Sequence, residues 1–289
     1  MKVSRGFKKP FLLCVGAQKS GTTWLSSILD KETRVWVPAL KEMHYFDRYS
    51  TIQAVRERGD GRYHERFRNL VADLEKMRRI TRKRHIGLLD RCLIDSDEDY
   101  ADFYRRYAAK APAAADLTPE YALLPCEGLE RIRAVLPNVF VLFLMRDPVD
   151  RLWSAAKHRV RFVPKYKHIL TDLSAMRRFS SEPVVSEMCN YHGTLSRLNT
   201  VFPKVRTAFF EEMLASDAAA HAFLTEVLND LGVPVPEKIE NIRRRVYEGT
   251  SAKMPEEWRQ VLRKDLDPVY SGLTEMGYKL PAKWTRLEA

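Results

Sequence analysis

The sequence predicts an α/β protein, with a central, mostly parallel β-sheet flanked by helices in one domain spanning residues 1–289. Three observations predict it. Residues 11–24, FLLCVGAQKSGTTW, run from a continuously apolar stretch through a glycine-bearing turn into two hydroxyl residues that open a helical pattern. Val139 to Met145 is an apolar run ended by Arg146, after which Asp147-Pro148 caps and begins a helix. Short apolar runs then alternate with helical periodicities along the chain, the pattern of a doubly wound sheet that receives ligands at the carboxyl ends of its strands.

Taken in order, Phe11 to Val15 is short, apolar throughout and closed by glycine, as a strand buried on both faces requires. The helix that follows carries Ser26, Ser27, Ile28 and Leu29, and Thr33 to Val37 alternates toward a second strand. Pro38 then opens a short segment ending in KEMHYFDR. Residues 50–110 are charged and largely helical in pattern, with Phe67, Leu70, Val71, Leu74 and Met77 at spacings of three or four and a loop at Gly59-Asp60-Gly61. Ala114 to Leu117 is a third strand. The helix from Val149 turns Leu152, Trp153 and Ala156 to the core and runs into KHRVRFVPKYKH, predicted as a mobile cationic loop. Val205 to Phe210 is a strand, Ala218 to Leu231 a helix, and Pro255 to Gly277 one long closing helix.

The first strand, turn and helix form an anion cradle, because backbone N–H groups and the positive helix end converge where a phosphate-like group can sit. The loop is P-loop-like without being a Walker A sequence. A Walker loop puts lysine directly after its last glycine, whereas Lys19 precedes Gly21 by two residues and Thr22 and Thr23 follow it. The strand Val139 to Met145 also ends in Arg146, where a Walker-type site would place a carboxylate for magnesium. A guanidinium forks onto phosphate oxygens without a metal, so no metal is expected.

The chain has 289 residues, and 49 Lys plus Arg against 38 Asp plus Glu give it a net charge of +11. That excess favours polyanionic partners or a polyphosphorylated ligand. Four cysteines show no metal-ligand or disulfide spacing, which suits a reducing compartment. No apolar run approaches the ~20 residues that span a bilayer, and the basic start leads into a strand with no cleavage site, so a cytoplasmic location is expected.

Lys19-Ser20-Gly21-Thr22-Thr23-Trp24-Leu25 resembles the K-x-G-T-T-x-L loop of the sulfotransferases that use 3′-phosphoadenosine 5′-phosphosulfate (PAPS). Arg146 to Ser154 resembles their R-D-P-x-x-R-x-x-S segment, in which the first arginine and last serine bind the 3′-phosphate. Lys41-Glu42-Met43-His44-Tyr45-Phe46 resembles the K-E-x-H-F-F element of the carbohydrate, heparan-sulfate-type and bacterial branch, where the glutamate is the general base; His44 is the competing base. Weaker matches are Leu117-Thr118-Pro119-Glu120-Tyr121 beside the acceptor site, Tyr191-His192 with Phe202-Pro203, and Phe210-Glu211-Glu212-Met213. Gly249-Thr250-Ser251-Ala252-Lys253-Met254-Pro255 occupies the place of the adenosine 3′-phosphate loop, departing from its common K-G-R-x-H form, and the resemblance makes Gly249, Thr250, Ser251 and Lys253 nucleotide contacts.

The resemblance implies transfer of a sulfuryl group from PAPS to a hydroxyl on a saccharide, glycolipid or small molecule, with no nucleic-acid partner. Lys19 would be catalytic; Lys19, Ser20, Gly21, Thr22, Thr23 and Trp24 would hold the nucleotide with Arg146 and Ser154. Residues 47–110, unmatched, would shape acceptor specificity. Golgi members carry an amino-terminal anchor, so its absence points to a bacterial enzyme or a trimmed catalytic domain. The rival readings are a P-loop phosphotransferase and a noncatalytic basic module that binds polyanions.

Overall fold

The computed structural model describes residues 6–38, 41–47, 94, 96–244 and 252–285. Five strands, β1 (Phe11–Cys14), β2 (Val35–Trp36), β3 (Ala113–Asp116), β4 (Val139–Met145) and β5 (Val205–Phe209), form one sheet in the order β2-β3-β1-β4-β5. Every pairing is parallel, so the mostly parallel sheet of the sequence reading is wholly parallel among the described residues. In register, Leu13 lies opposite Asp116 on one side and Val141 on the other.

β1 is central and all four of its residues are buried, which is why the sequence there is apolar without alternation. Its side chains nonetheless divide by the two-residue period of a strand. Phe11 and Leu13 join Tyr100, Tyr104, Val141, Phe143 and Tyr191 on one face. Leu12 and Cys14 join Trp24, Leu25, Leu29, Leu142 and Leu224 on the other. The helix α1 (Thr22–Glu32) leaves the loop after β1 and covers that second face. Between β2 and β3, α2 (Asp97–Tyr107) packs Tyr100 and Tyr104 beneath the first face. Its start is fixed by a capping box between Ser96 and Asp99. The remainder of the expected helical insertion, with Phe67 to Met77 and the loop at Gly59, lies outside the described residues.

After α3 (Cys126–Val135) the chain enters β4, then α4 (Pro148–Phe162). Asp147 caps α4 by accepting from the Asp150 amide, and Pro148 occupies its first turn, as the Asp-Pro pair predicts. Here the sequence reading needs correction. The basic stretch 157–168 is structured: α4 continues through Arg161 to Phe162, and a 3-10 helix spans Pro164–Leu170. Its cations alternate with anchors, for Ile169 is buried in a third apolar cluster with Leu152, Trp153 and Phe179, and Arg159 lies over Tyr166 and Phe179. Short helices α5 (Leu173–Ser180), α6 (Pro183–Glu187) and α7 (Tyr191–Val201) lead to β5. After it come α8 (Phe210–Met213) and α9 (Asp217–Asp230). The single closing helix is also corrected. It is two helices, α10 (Glu256–Asp265) and α11 (Asp267–Glu275), broken at Leu266 because Pro268 has no N–H with which to continue the ladder. A final turn, α12 (Ala282–Thr285), buries Trp284.

A candidate active site at the sheet edge

The carboxyl ends of β1, β3 and β4 lie side by side, so the loops after them meet above one edge of the sheet. After β1 the chain turns through Gly16 (φ 130°), Lys19 (φ 72°) and Gly21 (φ 94°) before α1 begins. A side chain at Gly21 would place its Cβ 2.7 Å from Met213 Cε and 3.0 Å from Phe210 Cδ2, so glycine there satisfies both the left-handed backbone and the close approach of α8. Four non-glycine residues among those described have positive φ, and three of them are Lys19, Glu42 and His44; the fourth is Asn241. Backbone held in this region is costly and concentrates where side chains must be aimed.

The loop after β4 brings Arg146 to the first loop, its Nη1 donating to the Lys19 carbonyl at 3.2 Å and its guanidinium lying 4.9 Å from the centre of the Phe210 ring. Arg146 Nε and Ser20 Oγ are buried without a hydrogen-bond partner among the described residues. Burial pushes the Lys19 ammonium below the ordinary lysine range; Arg146, Lys41 and Arg161 add to that shift and Glu42 opposes it.

Beside the loop, Lys41 Nζ donates to Glu42 Oε1 at 2.6 Å and to Thr22 Oγ1 at 3.2 Å. His44 Nδ1 sits 2.7 Å from Asp47 Oδ2, while its Nε2 lies 3.7 Å from Glu42 Oε2 and 3.9 Å from Glu120 Oε2. Burial alone would push the Glu42 carboxyl up, but the neighbouring His44, and Lys41 through its charge and hydrogen bond, bring it down to about 2. Burial likewise opposes the His44 imidazolium, yet Asp47, Glu42 and Glu120 together raise it to about 10. At neutral pH the pair is therefore a carboxylate facing an imidazolium. Glu120 follows β3, takes a hydrogen bond from Gln18 at 3.2 Å, and is pushed up chiefly by burial. Glu42, His44 and Glu120 also offer three ligand atoms within 4.8 Å of one another. Lys41 bound to Glu42, with Lys19 close by, makes this donor set a poor match for a cation.

Of the residues expected from the sequence, Lys19, Ser20, Gly21, Thr22, Thr23, Glu42, His44 and Arg146 all stand at this edge. Ser154 lies two turns into α4, half-buried. Trp24 departs from the expectation of a nucleotide contact. Its ring is buried against Phe223 and its Nε1 donates to the Ile242 carbonyl at 2.5 Å, so the side chain packs the core because the first turn of α1 points it inward. Lys253 is exposed, while Gly249, Thr250 and Ser251 lie outside the described residues.

Sequence reasoning missed Asp47 and Glu120 as partners of His44, and also His158 and Arg161. Asp47 carried a signal, three residues past His44 in the same segment. His158 carried another, one turn beyond Ser154 on the same helix face. Burial, Lys19 and Arg161 lower the His158 imidazolium and Glu42 raises it, so α4 brings this end to the same edge.

A family model described as "Sulfotransferase family" matches residues 10–237. The fold is similar to that of a sulfotransferase crystal structure from Alicyclobacillus acidocaldarius, with a TM-score of 0.63 and 22% identity over 96% of this chain and 99% of that one. It is also similar to the sulfotransferase domain of the Synechococcus PCC 7002 olefin synthase, with a TM-score of 0.52 and 16% identity over 97% of this chain and 98% of that domain. No curated protein sequence matches significantly. Those structural likenesses speak for the fold; the family match covers the four loops that build the edge site and most of the chain, and by it this protein belongs to the sulfotransferase family.

Proposed function

We propose that this chain transfers a sulfuryl group from PAPS to an acceptor hydroxyl, on a carbohydrate or glycolipid, by metal-independent in-line substitution at sulfur. The observation that carries the reading is the convergence of the glycine-lysine loop, Arg146 and the Glu42–His44 pair on one sheet edge, with Ser20 Oγ and Arg146 Nε buried and without a hydrogen-bond partner among the described residues. Buried donors without partners are costly, and phosphate oxygens would satisfy them.

On this reading the amides of Ser20 to Thr23 and the Thr22 and Thr23 hydroxyls hold the 5′-phosphosulfate. Arg146 and Ser154 hold the 3′-phosphate, and Gly249 to Ser251 with Lys253 are assigned to the nucleotide by the resemblance of their segment alone. Lys19 faces the bridging and leaving oxygens. As the acceptor oxygen bonds to sulfur, the bond from sulfur to the 5′-phosphate oxygen breaks and its electron pair leaves with 3′,5′-diphosphoadenosine. Charge grows on that leaving phosphate, and a cation fixed beforehand stabilises it more in the transition state than in the ground state.

The acceptor proton goes to Glu42. His44, already an imidazolium at neutral pH, has no lone pair with which to take it, whereas Glu42 is ionised. Metal independence rests on Arg146 standing where a magnesium-holding carboxylate would end β4. The carbohydrate assignment rests on the resemblance of Lys41 to Phe46 to that branch, and acceptor choice is assigned to residues 47–110, the first of which, Asp47, meets His44. The test is a screen of labelled PAPS against glycans, glycolipids and small hydroxyl compounds. Label in a saccharide, dependent on Glu42, supports the reading; label only in inorganic sulfate, or in none, refutes it.

A further inference from the structure

The segment 252–285 lies beyond the residues matched by the family model, yet it is fastened to the turn that carries Arg146. Glu211, at the start of α8, is the fastener. Its Oε1 accepts from the Asp147 amide at 3.0 Å and its Oε2 from Trp284 Nε1 at 2.9 Å. Around it, Tyr270 donates to Asp147 Oδ2 at 3.0 Å, Arg259 pairs with Asp150 at 2.7 Å, and Tyr191 donates to the Arg146 carbonyl at 2.9 Å. Phe210, the residue before Glu211, supplies the ring under the Arg146 guanidinium. Trp284 is itself wedged against Phe209 at 4.9 Å and Tyr270 at 6.0 Å between ring centres.

From this geometry we propose that Glu211 is a positioning residue. It ties the Arg146–Asp147 turn to the C-terminal segment through Trp284, so that the Arg146 guanidinium is held in place for a 3′-phosphate. The proposal rests on the reading that Arg146 meets the 3′-phosphate. A bound phosphate oxygen gains most from a donor that needs no reorganisation. Without the tie, the β4–α4 turn and the guanidinium are ordered only at the expense of binding.

The experiment compares two nucleotides that differ in the 3′-phosphate, 3′,5′-diphosphoadenosine and adenosine 5′-monophosphate, binding to the full chain by calorimetry. Glu211→Gln keeps an oxygen for the Asp147 amide but presents an amide N–H to Trp284. Trp284→Phe keeps a ring and removes the donor. Each variant is expected to bind the diphosphate about tenfold more weakly and the monophosphate within about twofold of wild type, and the double variant to be no worse than either single one. Circular dichroism verifies that each is folded. Equal weakening of both nucleotides, unchanged binding of the diphosphate, or additive losses in the double variant would overturn the proposal. Should the wild type bind both nucleotides equally, the reading of Arg146 fails first, and the proposal with it.

Discussion

His44 is ringed by three carboxylates, and this decides how the site behaves with pH. Its folded-state value, about 10, lies above the ordinary histidine range near 6.5. The group therefore contributes stability that is fully present below about pH 6.5 and is lost as pH rises through about 10. Asp47→Asn, which removes the hydrogen-bonding partner at 2.7 Å, is expected to lower the imidazole titration seen by NMR and to flatten that alkaline loss of stability. An unmoved titration would mean that Asp47 does not hold the imidazolium. Glu42 has the opposite sign: held at about 2, its carboxylate is present above that pH and is lost only as pH falls through it. The turnover profile of the enzyme should thus show no acid limb from Glu42 near pH 4–5. Glu42→Gln is expected to reduce turnover by ~10²-fold or more with nucleotide affinity intact, measured by single-turnover transfer. Lys19→Ala should likewise lower turnover more than affinity, because its charge matters most as the leaving phosphate develops. Normal turnover of that variant at saturation would confine Lys19 to binding.

At the scale of elements, the loop after β1 is the most sensitive. Gly21→Ala must accept a left-handed backbone and a contact with Phe210 and Met213, at a cost of about 1–3 kcal/mol. Chemical denaturation should show that loss, together with weaker binding of 3′,5′-diphosphoadenosine; wild-type values for both would mean that the loop relaxes freely. This loop was legible in the sequence because its glycines, lysine and hydroxyls are contiguous. β4 was legible to the residue, since an apolar run flanked by Arg146 and Asp147-Pro148 permits no other boundaries. The break at Leu266 was missed although Pro268 signalled it, because the apolar pattern carries on across the break through Leu262, Val269 and Leu273. The stretch 157–168 misled by its charge, which hid the anchoring of Tyr166 and Ile169. Glu120 lay beyond reach for a different reason: its meeting with His44 is made by the parallel pairing of β2 and β3, which no local pattern encodes, whereas Asp47 stands three residues past His44 and was merely overlooked.

For the whole molecule, parallel order gathers every strand's carboxyl end at one edge, and the net charge of +11 adds a long-range attraction for anions. Charge alone would also suit a module that merely binds polyanions, so the two sources of attraction must be separated. A polyanion module binds by counterion release, weakens steeply with salt and does not recognise a 3′-phosphate. The edge site instead holds Arg146 stacked on Phe210 and oriented by the Lys19 carbonyl, a partly buried arrangement that salt screens far less. Accordingly, at high salt, 3′,5′-diphosphoadenosine should still raise the melting temperature well above the effect of ATP, by the linkage of binding to folding, and Arg146→Ala should remove the difference. Transfer from PAPS should survive excess EDTA, since a guanidinium follows β4 and Glu42 is already hydrogen-bonded by Lys41. A melting shift that is equal for the two nucleotides, or that disappears with salt, would return the chain to the class of polyanion binders. Activity abolished by EDTA and restored by magnesium would place its chemistry with the phosphotransferases.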